Sequence, residues 1–457
     1  MTNKKAIIIL SALLLILVIS VGIFMFIVLN KTTIHKGVKI NTVPVEGLSR
    51  SEAVEYLKEK LDEDLEKRVL KLKYQNTTYS FSYDKIGVSY DYYTAVDKAY
   101  KLGREGNLIK RIGEIIRIGV KGYEMYMDYK VQEDKLDRVV NIIARDLDLE
   151  TKNAKIFYQN GKLTIIPEVR GRRVNKALLK EKIVNNLLNT GYVSIPVEYE
   201  KPSITEKMLK KINGPLGSFT TYYSGSSQGR IHNIKLAARS INGKVILPGK
   251  IFSFNKTTGP RDAEAGYKKA KVVIDGDLTD GVGGGVCQVS TTLYNAVLLS
   301  DLEVVERHPH SIPSAYVSKG RDATVAYNYL DLKFKNNTEF PIYIHTEAIN
   351  NKISISIFGN TEDKSNNIKI KSIITETINP KIKKIVDDSL KPGETLTVQK
   401  GRYGYRVKTY KVILKNGKEV NRELVSTDYY KPRNKIIKVG PQLKENVENN
   451  GLLNLLQ

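Results

Sequence analysis

The stretch that decides the central fold is Gly283-Gly-Gly-Val-Cys-Gln-Val-Ser-Thr-Thr-Leu-Tyr-Asn-Ala296. Three consecutive glycines are typical of a loop that turns tightly or approaches another backbone closely. After the loop, apolar residues recur at helical spacing on one side and polar residues on the other. The apolar set is Val289, Leu293 and Val297, and the polar set is Ser290, Thr291 and Asn295. The stretch therefore predicts a glycine loop that enters an amphipathic helix.

Cys287 lies at the start of this helix and is the single cysteine of the chain, so no internal disulfide can form. In the first helical turn, the helix dipole and free backbone N–H groups favour the thiolate and lower the thiol pKa. The same N–H groups can stabilise an oxyanion on a reacting carbonyl. His308 and His310 follow on a predicted strand or turn, with Asp322 beyond them. Such a thiol, histidine and polar orienting group together are typical of cysteine peptidases and transpeptidases.

Two other interpretations of these residues stay open. A lone cysteine is often a small buried apolar residue, and the three glycines can serve close helix packing alone. A metal site could instead be formed by Cys287, His308 and His310, although no fourth ligand stands at a recognisable spacing. We expect neither a bound metal nor a cofactor.

An unbroken apolar run extends from Ala6 to Leu29 and ends at Asn30-Lys31. A helix of that length can span a bilayer. A cleaved signal peptide has a shorter apolar core of about 7–15 residues and a cleavage site of small residues, which is not evident here. The run therefore predicts an uncleaved single-pass transmembrane helix over residues 1–30, with the bulk of the chain extracellular. Cleavage is the alternative.

The chain is strongly basic. Its 457 residues carry 73 Lys and Arg against 49 Asp and Glu, a formal net charge of +24. A cationic surface concentrates polyanions, although lysines also serve simply to solvate a surface. Behind a membrane anchor, the polyanions at hand are lipid headgroups and cell-wall polymers. We therefore expect an anionic wall polymer as the partner and no nucleic acid.

Residues 31–205 alternate strand and helix signals, and a chain of this length predicts several domains. Ser49 and Glu52 have the spacing of a capping box, which begins a helix. Tyr74-Gln-Asn and Tyr158-Gln-Asn each precede a glycine and then a predicted helix at matching intervals, which predicts a duplicated α+β region. The glycines are Gly87 and Gly171, and the predicted helices cover residues 93–100 and 176–188.

Residues 374–440 predict an all-β module. Residues 394–398 and 406–414 alternate apolar and polar positions as strands do, and Asn416-Gly417 is a hairpin signal. Residues 441–457 read as a linker or a frayed end.

The central region resembles the VanW family, and the resemblance implies an α+β domain over residues 212–360 in a cell-wall context rather than a mechanism. It covers about a third of the chain. One departure is Lys250, where the family usually has an acidic residue. The motifs are Phe219-Thr-Thr-Tyr-Tyr223, Arg230-x-x-Asn-Ile-x-Leu-Ala-Ala238, Phe252-Ser-Phe-Asn255, Gly259-Pro-Arg261, the stretch from Gly283 to Ala296, Arg307-His-Pro-His-Ser311 and Gly320-Arg-Asp-Ala-Thr-Val325.

The two flanking regions resemble known domains as well. Residues 60–200 are similar to the peptidoglycan-binding domain that commonly precedes VanW. Residues 374–440 look like a G-five domain. Its candidate glycines are Gly393, Gly401, Gly404, Gly417 and Gly440.

Within the VanW motifs we predict Cys287 as nucleophile, His310 as base and Asp322 as orienting group. His310 is preferred to His308 because the His-Ser pair belongs to the family pattern. The candidate substrate-binding residues are Gln288, Arg261, Arg307, Ser311 and Arg321. Arg261 can clamp a carboxylate of a wall peptide, or form a structural salt bridge instead. Arg321 and Asp322 can equally pair with neighbouring residues and only stabilise the loop.

Two functions follow from this sequence. The first is a cysteine peptidase or transpeptidase-like activity on peptidoglycan peptides, in cell-wall maintenance or envelope resistance. The second is a non-catalytic cell-wall-binding scaffold. An extracytoplasmic sensor is a third interpretation, but the few residues before the apolar run predict no cytoplasmic output domain.

Overall fold

The chain forms two compact units. The first unit runs to Lys152 and resumes over Val169–Lys201, and the second takes Asn153–Glu168 and continues from Pro202. One short segment of the predicted duplicated region, Asn153–Glu168, therefore belongs to the second unit. The computed structural model describes residues 2–188, 191–274, 277–363 and 367–442.

Helices and strands are numbered in chain order over these described residues. The helices are α1 (Thr2–Leu29), α2 (Arg50–Lys67), α3 (Tyr83–Ile86), α4 (Tyr92–Lys101), α5 (Leu108–Lys121), α6 (Glu133–Leu147), α7 (Lys176–Asn185), α8 (Glu206–Leu209), α9 (Gln228–Ile241), α10 (Phe254–Thr258) and α11 (Val286–Leu299), with a 3-10 turn at Thr361–Asp363. The strands are β1 (Val38–Ile40), β2 (Val43–Pro44), β3 (Val69–Tyr74), β4 (Thr77–Ser82), β5 (Val88–Tyr90), β6 (Tyr123–Met125), β7 (Tyr129–Val131), β8 (Lys155–Gln159), β9 (Lys162–Ile166), β10 (Gly171–Val174), β11 (Tyr192–Ser194), β12 (Val197–Glu200), β13 (Gly214–Tyr222), β14 (Val245–Ile246), β15 (Ile251–Ser253), β16 (Lys269–Ile274), β17 (Asp277–Val282), β18 (Glu303–Glu306), β19 (Lys333–Lys335), β20 (Ile342–Ile349), β21 (Lys352–Gly359), β22 (Asn367–Ile378), β23 (Ile382–Val386), β24 (Thr395–Gln399), β25 (Gly404–Lys415), β26 (Lys418–Tyr430) and β27 (Lys435–Val439).

Helix α1 is the predicted apolar helix. The segment Lys4–Leu29 is predominantly apolar, and its most apolar stretch is not covered by any other described part of the chain. Its length and composition suffice to cross a membrane. The helix is thus a candidate membrane span or signal anchor.

The first unit begins its packed part at α2. Ser49 caps this helix as predicted, since its Oγ lies 3.3 Å from the amide of Glu52 and the Glu52 carboxylate accepts from the Ser49 amide at 2.8 Å. This capping box satisfies two N–H groups that the helix leaves unpaired. Ala53 and Leu57, on the predicted stripe, are fully buried. Helices α2, α4, α6 and α7 share one core with four small sheets: β2-β1-β6, β11-β3-β4, β5-β7 and β10-β12.

The two proposed repeats share a hairpin followed by a helix but differ in detail. The first hairpin, β3–β4, turns at Gln75-Asn76, whereas β8–β9 turns at Asn160-Gly161. The predicted helices are confirmed as α4 and α7. The second hairpin belongs to the second unit, where Ile156 packs with Leu209 and Phe358. Duplication itself stays a prediction.

The second unit is built around an antiparallel sheet ordered β13-β21-β20-β14, with a smaller sheet β15-β19-β18 beside it. Helix α11 packs against β13, β21 and helix α9. This arrangement buries the helix from its first turn, where the glycine loop enters and Cys287 stays partly exposed.

Helix α11 is not amphipathic in the expected sense, because both of its faces are buried. The predicted polar face turns inward and is paired with backbone carbonyls. Ser290 Oγ donates to Ala323 at 2.7 Å, and Asn295 Nδ2 donates to Arg321 at 2.8 Å. A buried polar group is tolerated when it is hydrogen-bonded, and the segment 321–325 supplies the acceptors. The polar face of α11 therefore packs against another segment of the protein and not against water.

The C-terminal part of the second unit is all-β, as predicted, with sheets β22-β25-β26 and β23-β27-β24. The Asn416-Gly417 hairpin signal is confirmed, because these residues join β25 to β26 with φ angles of 51° and 78°. Positive φ at both positions is the reason for Asn-Gly in a two-residue turn. Most of the predicted tail, residues 443–457, lies outside the described residues.

Candidate functional site

The glycine loop delivers Cys287 to the second position of α11. Gly285 takes a φ of 111°, which a residue with a side chain rarely adopts. A Cβ at Gly284 would stand 2.5 Å from the carbonyl oxygen of Lys271 on β16. The glycines therefore permit both the turn and the close approach of the loop to a neighbouring strand.

Cys287 is partly exposed as a residue, although protein atoms surround its sulfur closely. Its Sγ lies 3.5 Å from the carbonyl oxygen of Val325, and its other partner is the imidazole of His310. Burial alone raises the pKa of the thiol, but His310 and the charge of Arg261 outweigh burial and lower it. The thiol therefore favours the thiolate form.

His310 is fixed by Asp322. The amide of His310 donates to Asp322 Oδ2 at 2.6 Å, and Nδ1 lies 2.7 Å from the same oxygen. Nε2 is the ring nitrogen left for the thiol. Burial lowers the pKa of His310, yet Asp322 and Cys287 together raise it to about 9. A lowered thiol pKa and a raised imidazole pKa favour a thiolate–imidazolium pair at neutral pH.

Asp322 is buried and charged, so it needs partners. Burial raises its pKa, but hydrogen bonds from His310 and from the Tyr430 hydroxyl lower it overall. The Tyr430 hydroxyl donates to Oδ1 at 2.5 Å and itself accepts from the amide of Gly320 at 2.6 Å. Tyr430 ends β26, so the C-terminal module supplies part of this network.

Three of the predicted substrate-binding residues are held inside the scaffold. Gln288 is buried and bonded on both sides of its amide, accepting from Arg230 at 2.9 Å and donating to the Tyr222 carbonyl at 2.9 Å. Arg321 donates to Asn295 Oδ1 at 2.7 Å. These contacts fix the first turn of α11 and the loop that follows His310.

Arg307, the third of these residues, joins the central region to the C-terminal module. Its Nη1 lies 2.5 Å from Asp428 Oδ1, and its Nε donates to the carbonyl of Asp322 at 2.6 Å. The guanidinium also stands over the Tyr294 ring at 5.2 Å. It thus orients the loop that carries Asp322.

Among the described residues, Arg307 has one guanidinium nitrogen without a hydrogen-bond partner and Arg261 has two. The Nη2 of Arg261 donates to the side chains of Asn255 and Thr258, whereas Nε and Nη1 are buried without a partner. Burial lowers its pKa, and the charge of Cys287 opposes that effect. Two unpaired guanidinium donors near the thiol are the groups that a carboxylate would satisfy. Ser311 is exposed next to His310.

Sequence reasoning missed two further neighbours of the site, Ser314 and Tyr316. Ser314 Oγ lies 3.3 Å from His310 Nδ1. Burial strongly raises the pKa of Tyr316, and Cys287 raises it further. The short spacing from His310 along the chain could have indicated both residues. Nothing local could have indicated Tyr430, which stands 108 residues from Asp322.

Within the part of the chain that the structure describes, no cluster of three His, Cys, Asp or Glu side chains is arranged to hold a metal ion. His308 turns away from the thiol, with Nε2 3.1 Å from Glu306 Oε1. The geometry therefore selects His310 as the partner of Cys287.

Comparison with known families assigns each part of this architecture. The "VanW like protein" family model matches residues 229–358, the "Putative peptidoglycan binding domain" model matches residues 79–192, and the "G5 domain" model matches residues 369–442. The three follow one another in the order predicted. An anchor-like helix and these domains together fit a cell-wall-associated protein.

Two relatives are similar to part of this chain. The uncharacterized protein YoaR of Bacillus subtilis (strain 168) is 32% identical over 232 residues, which cover 50% of this chain and 76% of that protein. The Vancomycin B-type resistance protein VanW of Enterococcus faecalis (strain ATCC 700802 / V583) is 32% identical over 143 residues, covering 30% of this chain and 52% of that protein. The chain belongs to the VanW family.

Two solved structures are similar to part of the chain. The crystal structure of HP0197-G5 is 25% identical, with 17% of this chain and 99% of that one covered and a TM-score of 0.13. The IgA1 protease G5 domain structure is 25% identical, with 17% and 93% covered and a TM-score of 0.15. The assignment of the C-terminal module rests on its family model and its all-β architecture.

Proposed function

We propose that this protein is anchored in the cell membrane and acts on peptidoglycan peptides by acyl transfer through Cys287. One observation carries the proposal: the thiol, the imidazole of His310 and the carboxylate of Asp322 form a connected series at the first turn of α11. A helix N-terminus, a histidine and an orienting carboxylate are the parts that an activated cysteine requires.

The chemistry follows from the thiolate–imidazolium pair. The thiolate of Cys287 attacks the carbonyl carbon of a peptide bond, forming an S–C bond. The C–N bond then breaks, and the leaving amine takes the proton of the His310 imidazolium. Water or a second amine next attacks the thioester, gives a proton back to His310 and releases the thiolate. Water gives hydrolysis and an amine gives transpeptidation.

Val286 and Gln288 already donate their backbone N–H groups to Gly283 and Gly285, so we assign the N–H of Cys287 itself to the oxyanion of each tetrahedral intermediate. Arg261 supplies two unpaired donors near the sulfur. Free carboxylates are abundant on wall peptides, and a guanidinium binds a carboxylate in a fixed planar geometry. We therefore assign Arg261 to the substrate carboxylate and the exposed Ser311 to the rim of the site.

The remaining parts hold this site at the wall. Helix α1 crosses the membrane once, and the chain beyond it lies outside. Residues 31–205 bind peptidoglycan, residues 212–360 carry the chemistry, and residues 374–440 support it. The net charge of +24 favours anionic wall polymers. The role is cell-wall maintenance or envelope resistance.

Incubation of the purified chain with peptidoglycan fragments tests the proposal. The wild-type protein should convert stem peptides to shortened or cross-linked products seen by mass spectrometry. Cys287→Ala should give none while keeping the circular dichroism and melting temperature of the wild type. Equal product from both proteins would refute catalysis by Cys287.

A non-catalytic wall-binding scaffold is the second candidate function. The buried pairing of Gln288, Arg307 and Arg321 favours it, because these motif residues serve packing. In the scaffold function, Cys287→Ala should sediment with purified cell wall as the wild type does, and neither protein should alter the wall peptides. In 1 M salt the Debye length is only about 3 Å, so purely ionic binding should vanish. Binding through pockets for sugar or peptide should persist.

A further inference from the structure

Helix α5 carries an apolar face that no other part of the described chain covers. Leu108, Ile116 and Val120 lie on one row of this helix and are 60%, 61% and 81% exposed. Ile109, beside that row, is 84% exposed. Residues four apart lie on the same side of a helix, so these side chains form one continuous strip. Exposed apolar strips of this kind mark a contact surface.

Positive charge borders the strip. Lys110, Arg117 and Lys121 are exposed and share the neighbouring side of the helix. The opposite side is packed, since Ile118 is buried and a Cβ on Gly37 would stand 2.3 Å from its carbonyl oxygen. The helix thus has one buried side, one apolar exposed side and a cationic border between them.

The helix also lies beside the end of α1. The side chain of Arg111 donates to the carbonyl of Leu29, the last residue of α1, at 3.0 Å. Just before α5, Arg104 donates to the carbonyls of Lys31 and Thr33 at 2.7 and 2.6 Å. If α1 spans a bilayer, these hydrogen bonds place α5 where the chain leaves the hydrocarbon. Water and lipid headgroups meet at that depth.

We propose that α5 is an interfacial helix that docks on the anionic bilayer surface in which α1 is anchored. Its apolar strip enters the boundary of headgroups and acyl chains, and its cations contact lipid phosphates. The inference rests on the anchor in the proposed function, not on the chemistry of Cys287. Docking would fix the first unit on the membrane at a second point.

The chain contains no tryptophan, so a single introduced indole reports alone. Full-length Ile116→Trp is reconstituted in vesicles that contain phosphatidylglycerol and lipids brominated on the acyl chain. We expect its emission to shift to shorter wavelength and to be quenched by bromine. Val120→Trp repeats the measurement at a second position of the strip.

Val69→Trp is the matched control, because Val69 is 50% exposed and follows the C-terminal end of helix α2 in the same unit. Helix α2 starts at Arg50, whose guanidinium stands over the Tyr100 ring close to Arg104. Its 18 residues make it about 27 Å long, and Val69 follows its last residue, Lys67, by two positions. The control should show neither shift nor quenching.

Charge dependence gives a second readout. Each cation near an anionic surface raises the equilibrium constant for binding by roughly fivefold. The triple variant Lys110→Gln/Arg117→Gln/Lys121→Gln should therefore lower the equilibrium constant for docking by roughly a hundredfold. Quenching of Ile116→Trp should then fall in phosphatidylglycerol vesicles.

The outcomes are distinguishable. Equal, weak quenching at positions 69, 116 and 120 in a chain that floats with the vesicles would overturn docking. A blue shift without bromine quenching would overturn it too and would show that protein, such as a second copy, covers the strip. A chain that does not float would refute the anchor instead.

Discussion

The hydroxyl of Tyr430 lies 2.5 Å from Oδ1 of Asp322, while Nδ1 of His310 lies 2.7 Å from Oδ2 of the same carboxylate. The C-terminal module and the candidate base therefore share one buried acid. A carboxylate held on both oxygens keeps its charge and its orientation, which favours the protonated imidazole. Tyr430 is accordingly a positioning residue that acts through Asp322.

Tyr430→Phe should lower turnover of peptidoglycan peptides, because Asp322 loses part of the hold on its orientation, and it should raise the pKa of His310, because the Asp322 charge is then shared with one donor fewer. The lost hydrogen bond to a buried charge should also cost about 1.5–3 kcal/mol of unfolding free energy. The measurement is the pH profile of turnover, whose alkaline limb should move to higher pH. Tyr429→Phe, at the exposed neighbouring position, should change neither. A stability loss with an unmoved pH profile would make Tyr430 purely structural.

Alkylation of Cys287 by iodoacetamide should already be fast at about pH 7, below the ordinary thiol pKa of about 8.5. The thiolate is lost only as pH falls through the lowered pKa of the thiol. His310→Ala removes the main group that lowers this pKa, so burial should then move the rise to alkaline pH. His308→Ala is the control, since His308 pairs with Glu306. Equal profiles for the three proteins would contradict the coupling.

Turnover should have a second limb. The leaving amine needs the proton of the His310 imidazolium, which is lost as pH rises through about 9. Activity should therefore fall above that pH while alkylation stays fast, because the thiolate persists. Parallel loss of both rates would mean that the alkaline limb reports unfolding.

The sequence predicted the local elements of the fold well. The glycine loop, the helix that carries Cys287 and the capping box at Ser49 each depend on neighbours in the chain, and each is confirmed. The burial of Ser290 and the contact between Arg307 and Asp428 were not predicted. Both depend on segments that meet only in the folded chain, and no spacing in the sequence encodes them.

Arg261→Gln should raise KM for peptides with a free carboxylate by roughly ten- to hundredfold, the value of one or two hydrogen bonds to a charged group. In the variant, the carboxylate of such a peptide loses the Nε and Nη1 donors of Arg261 as hydrogen-bond partners. The same peptide with its carboxylate amidated is the control, and wild type and variant should treat it alike. Equal KM values for the free carboxylate would leave Arg261 a structural role only.

Asp428→Asn should strongly destabilise the second unit, because it leaves Arg307 buried with one charged partner removed. Breaking a buried pair in this way typically costs about 3–5 kcal/mol. Chemical denaturation measures the loss. Glu376→Gln, which breaks a solvent-exposed pair with Arg406, should cost far less. Similar losses for the two variants would contradict a buried ion pair.

The most direct test of the central claim is the covalent intermediate. Wild-type protein is mixed with peptidoglycan stem peptides, quenched in acid and measured as intact mass, followed by peptide mapping. An acyl group should appear on Cys287 in the wild type, accumulate when the acceptor amine is withheld, and be absent from Cys287→Ala. Product formed without any adduct on Cys287, and formed equally by Cys287→Ala, would contradict acyl transfer through this thiol.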